Sequence, residues 1–197
     1  RKTEGNSRYV YTNVTQWLNS DGDSNHWYHP LHEYDEAPSY QNKKGFLSEF
    51  TSAEKEIIQQ RIWKVAKAPA DGEGEETFSA KVVLLSREDV GFEGTNNLDI
   101  FTDNSSRTIP NLFWALRTPN SNARIYDVSQ QGNSSNWFCK EKYTIRPLIY
   151  IRGDEPITKE PDEDGCYMFL ERVSKEIEYP QSKDFYIRQF TYNVKKQ

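Results

Sequence analysis

Four short segments with strand character follow one another between residues 112 and 151, and this run constrains the fold more than any other feature. The segments span residues 112–117, 123–129, 136–140 and 144–151 and are rich in aromatic and aliphatic side chains. Gln131-Gly-Asn133 separates the second segment from the third and is typical of a hairpin turn. Strands joined by short connections pair with their chain neighbours. The run therefore predicts an antiparallel meander.

Two main helices are predicted in the first third of the chain. Asn13 can cap the first helix, whose apolar residues fall on one face. Those residues are Val14, Trp17 and Leu18. Thr51-Ser-Ala-Glu54 is a capping-box pattern that predicts a second helix up to about Gln60. Further strands are expected at 62–66 and 81–85, with Gly72 and Gly74 forming a turn between them. The class predicted is α+β, with a mixed or antiparallel sheet.

Polar connecting segments divide the chain and suggest its domain limits. Residues 21–44 have no sustained apolar period and predict a long ordered loop, of the kind that is often functional. Residues 153–165 hold six carboxylates against one lysine, which predicts an exposed acidic linker. We therefore expect a main domain at 1–152, the linker, and a C-terminal β appendage at 166–197. One face of an alternating strand in that appendage carries Tyr186, Phe190, Tyr192 and Val194.

Charge and hydropathy argue against several classes of partner. The net charge is -5 and both signs are mixed along the chain, so a basic surface for nucleic acid is not expected. The sequence has no stretch approaching the roughly 20 apolar residues of a membrane-spanning helix. The first residue is Arg1 rather than Met, which suggests a processed or trimmed chain and leaves its compartment open.

The two cysteines, Cys139 and Cys166, admit two interpretations. Their spacing matches neither a CxxC redox pair nor a zinc site. They can form one disulfide in an oxidising compartment, or remain two buried thiols, since unpaired cysteine is a common core residue. The sequence does not decide between these.

The strand run also resembles the closing signature of a bacterial and phage family of unknown function. Its members end in a WWLRSP-like segment, a hairpin with a Gly-rich turn, and a VRPALWI-like strand. The matching segments here are Trp114-Ala-Leu-Arg-Thr-Pro119, Arg124-Ile-Tyr-Asp-Val128, Gly132 and Ile145-Arg-Pro-Leu-Ile149. Earlier segments follow in the same order: Gln16-Trp-Leu-Asn19, His32-Glu-Tyr-Asp35, Gly45-Phe-Leu-Ser48 and Val83-Leu-Leu-Ser86. The resemblance spans roughly residues 8–151.

This resemblance implies a C-type lectin-like fold, which carbohydrate binders, phage receptor-binding tips and formylglycine-generating enzymes share. It also implies that most of the strand run between residues 112 and 151 is structural, with Arg117 and Arg146 buried. Since function on such a fold depends on the individual site, the resemblance does not identify a ligand. A bacterial surface or a virion is the location it suggests.

Metal binding and catalysis are not expected from the sequence. His26, His29 and His32 lie close together, but a loop containing Pro30 does not place them on one helical face, and packing and hydrogen bonding explain them better than zinc does. The segment Asp21-Gly-Asp-Ser-Asn25 begins like a calcium loop and then departs from the pattern. No Gly-x-Ser-x-Gly elbow occurs. We predict no catalytic residue, no metal and no cofactor.

The remaining hypothesis is recognition of a ligand by aromatic rings and polar loops. Exposed rings with polar tips suit sugars or protein hot spots, and short amides suit adaptable binding loops. The predicted ligand-binding residues are Trp27, Tyr34, Asn120, Asn122, Tyr126, Gln130, Asn133 and Trp137. We therefore expect a non-catalytic module that binds a glycan or a protein. The alternatives are an assembly component that pairs through its C-terminal strand, and a metal- or thiol-dependent enzyme.

Overall fold

The computed structural model describes residues 7–33, 35–94 and 97–153, together with Glu160. Its largest sheet is the predicted antiparallel meander, formed by β4 (Trp114–Ser121), β5 (Arg124–Val128) and β6 (Ser134–Phe138). Gly132, at a φ of 76°, makes the turn between β5 and β6, as the sequence predicts. The order β4-β5-β6 leaves β6 as an outer strand of this three-stranded sheet.

The helices are short, and tertiary contacts hold them in place. In α1 (Asn13–Leu18) the cap is Thr12, whose side chain accepts from the backbone N–H of Thr15. Asn13, predicted as the cap, instead accepts a hydrogen bond from the hydroxyl of Tyr40. In α2 (Ser52–Ile57) the predicted capping box of Thr51 and Glu54 is present, although the helix ends before Gln60. A helix this short is marginal alone, so burial of its apolar side is what stabilises it.

In the sequence, a two-stranded hairpin follows α2 and precedes the meander. It pairs β1 (Arg61–Ala66) with β2 (Glu75–Ala80) across the turn that contains Gly72 and Gly74. Trp63 and Val65 of β1 point into the core, and the indole N–H of Trp63 donates to the carbonyl of Ala80 at 3.0 Å. The strand at 75–80 was not predicted, because it carries two glutamates and two hydroxyl residues.

The closing strand β7 (Pro147–Ile149) pairs with β3 (Val82–Leu84) in antiparallel fashion. The sequence predicted this segment as the next strand of the meander, and that placement is wrong. Only a single parallel bridge, between Thr144 and Trp114, joins it to β4. Further on, a bridge between Ile151 and Ile58 ties the end of the segment to the residue after α2. The closing strand thus connects both halves of the described chain.

One core fills the space between these sheets. It contains the fully buried Leu18, Val82, Val83, Trp114 and Leu116. Tyr9 also lies in it, and its hydroxyl accepts from the backbone N–H of Leu84 at 2.8 Å. Burial raises the pKa of Tyr9 to about 12. Arg117 and Arg146 are buried as predicted, and Arg107 is buried with them.

The sequence does not predict the helix α3 (Asn104–Arg107), since all four of its residues are polar. The predicted linker and the predicted C-terminal appendage lie almost wholly outside the described residues. The described elements define a mixed α+β arrangement with several antiparallel sheets.

Candidate functional site

Hairpin connectivity separates the predicted loop residues into two groups. The turn between β4 and β5 and the turn between β5 and β6 lie at opposite ends of β5. At about 3.3 Å per residue, the five residues of β5 hold them roughly 16 Å apart. Asn120 and Asn122 belong to the first end, and Gln130 and Asn133 to the second. The eight predicted residues therefore do not form one site.

Trp137 forms a solvent-facing corner at the first end. It pairs with Ile125 across the hairpin, and its side chain is 53% exposed. The ring of Phe138 meets it edge-on, with 6.1 Å between centroids. The guanidinium of Arg124 lies 4.2 Å from the centroid of Phe138 and 5.9 Å from that of Trp137. We call these three side chains, with Lys140, the aromatic corner.

The corner is built by the register of the hairpin. Arg124 and Phe138 are direct partners, so their side chains share one face of the sheet. The amide oxygen of Asn136 accepts from Arg124 at 3.2 Å and helps to orient it. The ammonium of Lys140 lies 5.7 Å from the ring of Phe138. Trp137 directly precedes Phe138 in β6, so the two side chains leave the strand on opposite faces, although their rings still contact edge to face. The corner is therefore a cationic aromatic group at the end of the hairpin of β5 and β6, with Lys140 contributed by the turn after β6.

The sequence predicts Trp137 as a ligand-binding residue but assigns no such role to Arg124, Phe138 or Lys140. The signal was available in the turn. A hairpin centred on Gln131 pairs residues at equal distance from it, which is seven positions for Arg124 (131 − 124) and seven for Phe138 (138 − 131). This symmetry alone pairs the cation of Arg124 with the ring of Phe138, next to the exposed Trp137.

The two asparagines near the corner have different surroundings. Asn122 is exposed, yet its side-chain oxygen accepts from the backbone N–H of Ala70 at 2.7 Å, and its carbonyl accepts from the N–H of Ser7. These bonds tie the turn to the loop before β2 and to the start of the described chain. Asn120 is half-buried near the end of β4. The structure therefore places Asn120 in a strand and not in the predicted loop.

At the second end, Asn133 joins the turn to α3. Its side-chain oxygen accepts from the amide of Asn104 at 2.7 Å. Gly132 packs so closely there that an added Cβ would lie 1.9 Å from the carbonyl oxygen of Asn104. Gln130 is half-buried beside them. This end is a packed junction between two elements.

Tyr126 and Trp27 do not join the corner. The ring of Tyr126 carries the guanidinium of Arg87 at 4.0 Å from its centroid. Trp27 is only 4% exposed; its indole N–H donates to the carbonyl of Lys43 at 2.8 Å, and its ring stacks on Tyr40. Trp27 is thus a packing residue and not a surface ring. Tyr34 lies outside the described residues.

A buried carboxyl group lies in the middle of the meander. Asp127 is 1% exposed and is hydrogen-bonded by Ser135, while its Oδ1 has no hydrogen-bond partner. Burial raises the pKa of Asp127, and the bond from Ser135 opposes that shift in part. Burial also raises the pKa of Tyr143, and the nearby carboxylate of Asp127 adds to that shift. No local sequence pattern marks either residue as functional.

The histidines and the described cysteine have ordinary surroundings. His32 Nδ1 lies 3.3 Å from Asp35 Oδ2, and the backbone of His29 bonds the side chain of Gln16. The thiol of Cys139 donates to the carbonyl of Ala123 at 3.0 Å, and Cys166 lies outside the described residues. Within the described ranges, no three His, Cys, Asp or Glu residues cluster in a way that could hold a metal ion.

The described part of the chain is an α+β domain of antiparallel sheets with a cationic aromatic corner on its outer strand. It belongs to a family described as a domain of unknown function (DUF6273), whose model matches residues 1–153. Searches of curated proteins and of solved structures give no significant match. Among the helices in the described ranges, none is long and apolar enough to cross a membrane.

Proposed function

We propose that this domain is a non-catalytic binding module and that it contacts a glycan or a protein through the aromatic corner. The observation that carries the proposal is the exposure of Trp137. Of the five tryptophans, Trp27, Trp63 and Trp114 are buried and Trp17 is half-buried, whereas Trp137 presents more than half of its surface to solvent. A large ring held by a strand loses little freedom on binding, so it can contribute more to affinity.

The chemistry of the corner supports binding rather than reaction. A flat apolar ring next to a polar, cationic group is the composition typical of sugar sites and of protein hot spots. Phosphate cradles and nucleophile elbows are absent from the sequence. The resemblance of the chain to C-type lectin-like domains agrees with a recognition role on a bacterial surface or a phage particle, and we propose both the fold relationship and that location.

A truncation of the exposed ring tests the proposal. Trp137→Ala is compared with Phe113→Ala, which removes another exposed ring, from the residue before β4. On glycan arrays and in bacterial cell-binding assays, we expect Trp137→Ala to weaken the strongest interaction about 30-fold, the loss of a hot spot of about 2 kcal/mol. Phe113→Ala is expected to bind like the natural chain. Equal binding by both variants, or no ligand in either assay, would contradict the proposal.

A second candidate is an assembly role, favoured by the outer edge of β6. The backbone N–H of Cys139 donates to the carbonyl of Ala123, and that of Ser129 donates to the carbonyl of Asn133. These two bonds show which alternate residue pairs of β5 and β6 are hydrogen-bonded to each other. By the antiparallel pattern, the backbone groups of Ser134 and Asn136 then point away from β5, where a strand of another chain can add. In that case Phe190→Asp, in the predicted C-terminal strand, should abolish self-association measured by sedimentation. A natural chain that stays monomeric at all concentrations would exclude this role.

A further inference from the structure

The two cations of the aromatic corner make no ion pair within the described residues, as is also true of other exposed cations such as Arg61, whereas three less exposed arginines are paired. Arg8, Arg87 and Arg117 each contact a carboxylate, of Glu76, Glu93 and Asp89 respectively. Within the described residues, neither Arg124 nor Lys140 has a carboxylate within ion-pair distance. In a chain with a net charge of -5, these two positive groups are therefore available to an external anion.

Arg124 is also held in place. Asn136 accepts a hydrogen bond from one N–H group of Arg124, and the centre of the guanidinium packs 4.2 Å from the centroid of the Phe138 ring. A guanidinium has five N–H donors in a planar fork, so most of them remain for a ligand. Because the fork is already oriented, little side-chain freedom is lost when it binds a carboxylate in bidentate fashion.

From this geometry we infer that the corner binds an acidic saccharide, a sugar whose ring stacks on Trp137 while its carboxylate binds Arg124. This inference rests on the proposed function and specifies its ligand. The guanidinium lies 5.9 Å from the centroid of the indole, close enough for one sugar residue to reach both. The exposed part of the indole is a flat apolar surface that suits the C–H face of a sugar ring, and for that reason we favour a saccharide over an acidic peptide.

Lys140 and Glu141 adjust the charge at the corner in opposite directions. Both are exposed and adjacent in the chain, so their contributions are partly screened by solvent. Lys140 adds to the attraction of an anion, whereas Glu141 opposes it. Glu141→Gln is therefore expected to tighten binding of an acidic saccharide by about twofold, the size of a screened surface interaction.

The test uses the full chain and four defined probes. Two are acidic saccharides, a tetragalacturonate and a hyaluronan tetrasaccharide, one is a neutral galactose tetramer, and one is a tetraglutamate peptide. Binding is followed by calorimetry and by the NMR signal of the Trp137 indole N–H, which is identified by its loss in Trp137→Phe. We expect at least one acidic saccharide to shift that signal and to bind at least tenfold more tightly than the neutral tetramer. Added salt should weaken it.

Arg124→Gln tests the role of the guanidinium, with Arg61→Gln as the matched control. Arg61 is an exposed arginine over another ring, 4.2 Å from the centroid of Tyr150, so its loss changes the net charge equally. Arg124→Gln should weaken the acidic saccharide about tenfold, as expected for a hydrogen-bonded charge of about 1.4 kcal/mol. Arg61→Gln should leave it unchanged. Arg124→Lys should give an intermediate loss, and an unchanged unfolding temperature shows that each variant is folded.

Several results would overturn the inference. These are equal binding of the neutral tetramer, equal or tighter binding of tetraglutamate, equal losses in Arg124→Gln and Arg61→Gln, or no binding of either acidic saccharide. Failure of the proposed function itself looks different, because Trp137→Ala would then keep every interaction found on the arrays. A ligand that requires Trp137 but tolerates Arg124→Gln would leave the binding module standing and remove only the acidic saccharide.

Discussion

Three buried arginines in this domain are stabilised in three different ways. Arg117 pairs with Asp89 at 2.5 Å and also donates to the carbonyl of Leu84. Arg107 donates to the carbonyls of Val90 and Phe101 and to the side chain of Asn104. Arg146 packs against the rings of Phe101 and Trp114, and burial lowers its pKa to about 10. The cost of removing each cation depends on what it leaves behind.

We predict that Arg117→Met destabilises the fold far more than Arg146→Met. Loss of Arg117 leaves the carboxylate of Asp89 poorly exposed and without its cation, which costs about 3–5 kcal/mol. Loss of Arg146 leaves no buried carboxylate without a partner among the described residues, and methionine keeps the contact with both rings. The free energy of unfolding should therefore change by no more than about 1 kcal/mol. Urea unfolding of both variants measures the difference. Similar losses would show that ring contacts stabilise a buried arginine as well as an ion pair does.

Asp127 gives the domain a pH dependence of opposite sign to that of most carboxylates. Its pKa is raised in the fold, so in the window between the unfolded value, about 3.8, and the raised value, the folded state holds more protons than the unfolded state. The stability contributed by Asp127 is complete below that window and is lost as the pH rises through it. In Asp127→Asn, the side chain does not ionise, so the stability of the fold no longer falls with rising pH on its account.

The corresponding prediction is a difference that grows with pH. The free energy of unfolding of Asp127→Asn, relative to that of the natural chain, should increase between pH 4 and pH 7. Urea titrations at several pH values measure it, and Asp99→Asn, at an exposed carboxylate, serves as the control. A constant difference across this range would show that the pKa of Asp127 is not raised.

At the scale of elements, local signals predicted the elements that form local contacts. The capping box of Thr51 and Glu54, the turn at Gly132 and the strands on either side of it were all readable, because each depends on residues close in sequence. The partner of the closing strand was not readable, since Val82 and Ile149 carry no sign of each other. The polar strand at 75–80 and the four-residue α3 have too weak a hydrophobic pattern to stand out.

A comparison of Gly72 with Gly132 distinguishes the cost of a left-handed backbone conformation from the cost of close packing at a turn. Gly132 and Gly72 both have positive φ, 76° and 92°, but an added Cβ at Gly72 would meet nothing within 4 Å. We predict that Gly72→Ala costs about 1–2 kcal/mol, the penalty of the left-handed conformation. Gly132→Ala should cost about 2 kcal/mol more, because the turn must move away from Asn104. Thermal unfolding of the two variants measures the gap, and equal costs would refute the close approach.

At the scale of the whole molecule, β7 joins regions that are distant in sequence. Val83 faces Leu148 in the pairing of β3 with β7, and both are buried in the core. The bridge from Ile58 to Ile151 brings in the end of α2. The sheets share one core, so they are expected to unfold together.

Leu148→Ala tests this cooperativity. The cavity it leaves should lower the free energy of unfolding by about 2–5 kcal/mol. Far-ultraviolet circular dichroism and tryptophan fluorescence should still report the same transition midpoint, because the indoles of Trp63 and Trp114 lie in the same core. Ile62→Ala, at a highly exposed position, should have little effect. Two separated midpoints would show that the sheets unfold independently.

The candidate site could be predicted only in part, for a reason that belongs to this scale. Composition identified Trp137 as a ring that could lie on the surface, but it did so equally for Trp27, which packs on Tyr40 instead. Exposure depends on which distant segments cover a residue, and residues 40–43 cover Trp27 from outside its local pattern. The grouping of Arg124 with Phe138, by contrast, follows from the hairpin alone.

The opposite placement of the two meander turns has an evolutionary consequence. At one end, Gly132 sits against the backbone of Asn104, so nearly any substitution there disturbs the fold. At the other end, Trp137 and Lys140 are exposed and can change at little cost in stability. Under the proposed binding function, relatives can therefore change the ligand that they bind while keeping the same framework. An alignment of the family is expected to show Gly132 nearly invariant and the residues of the corner variable.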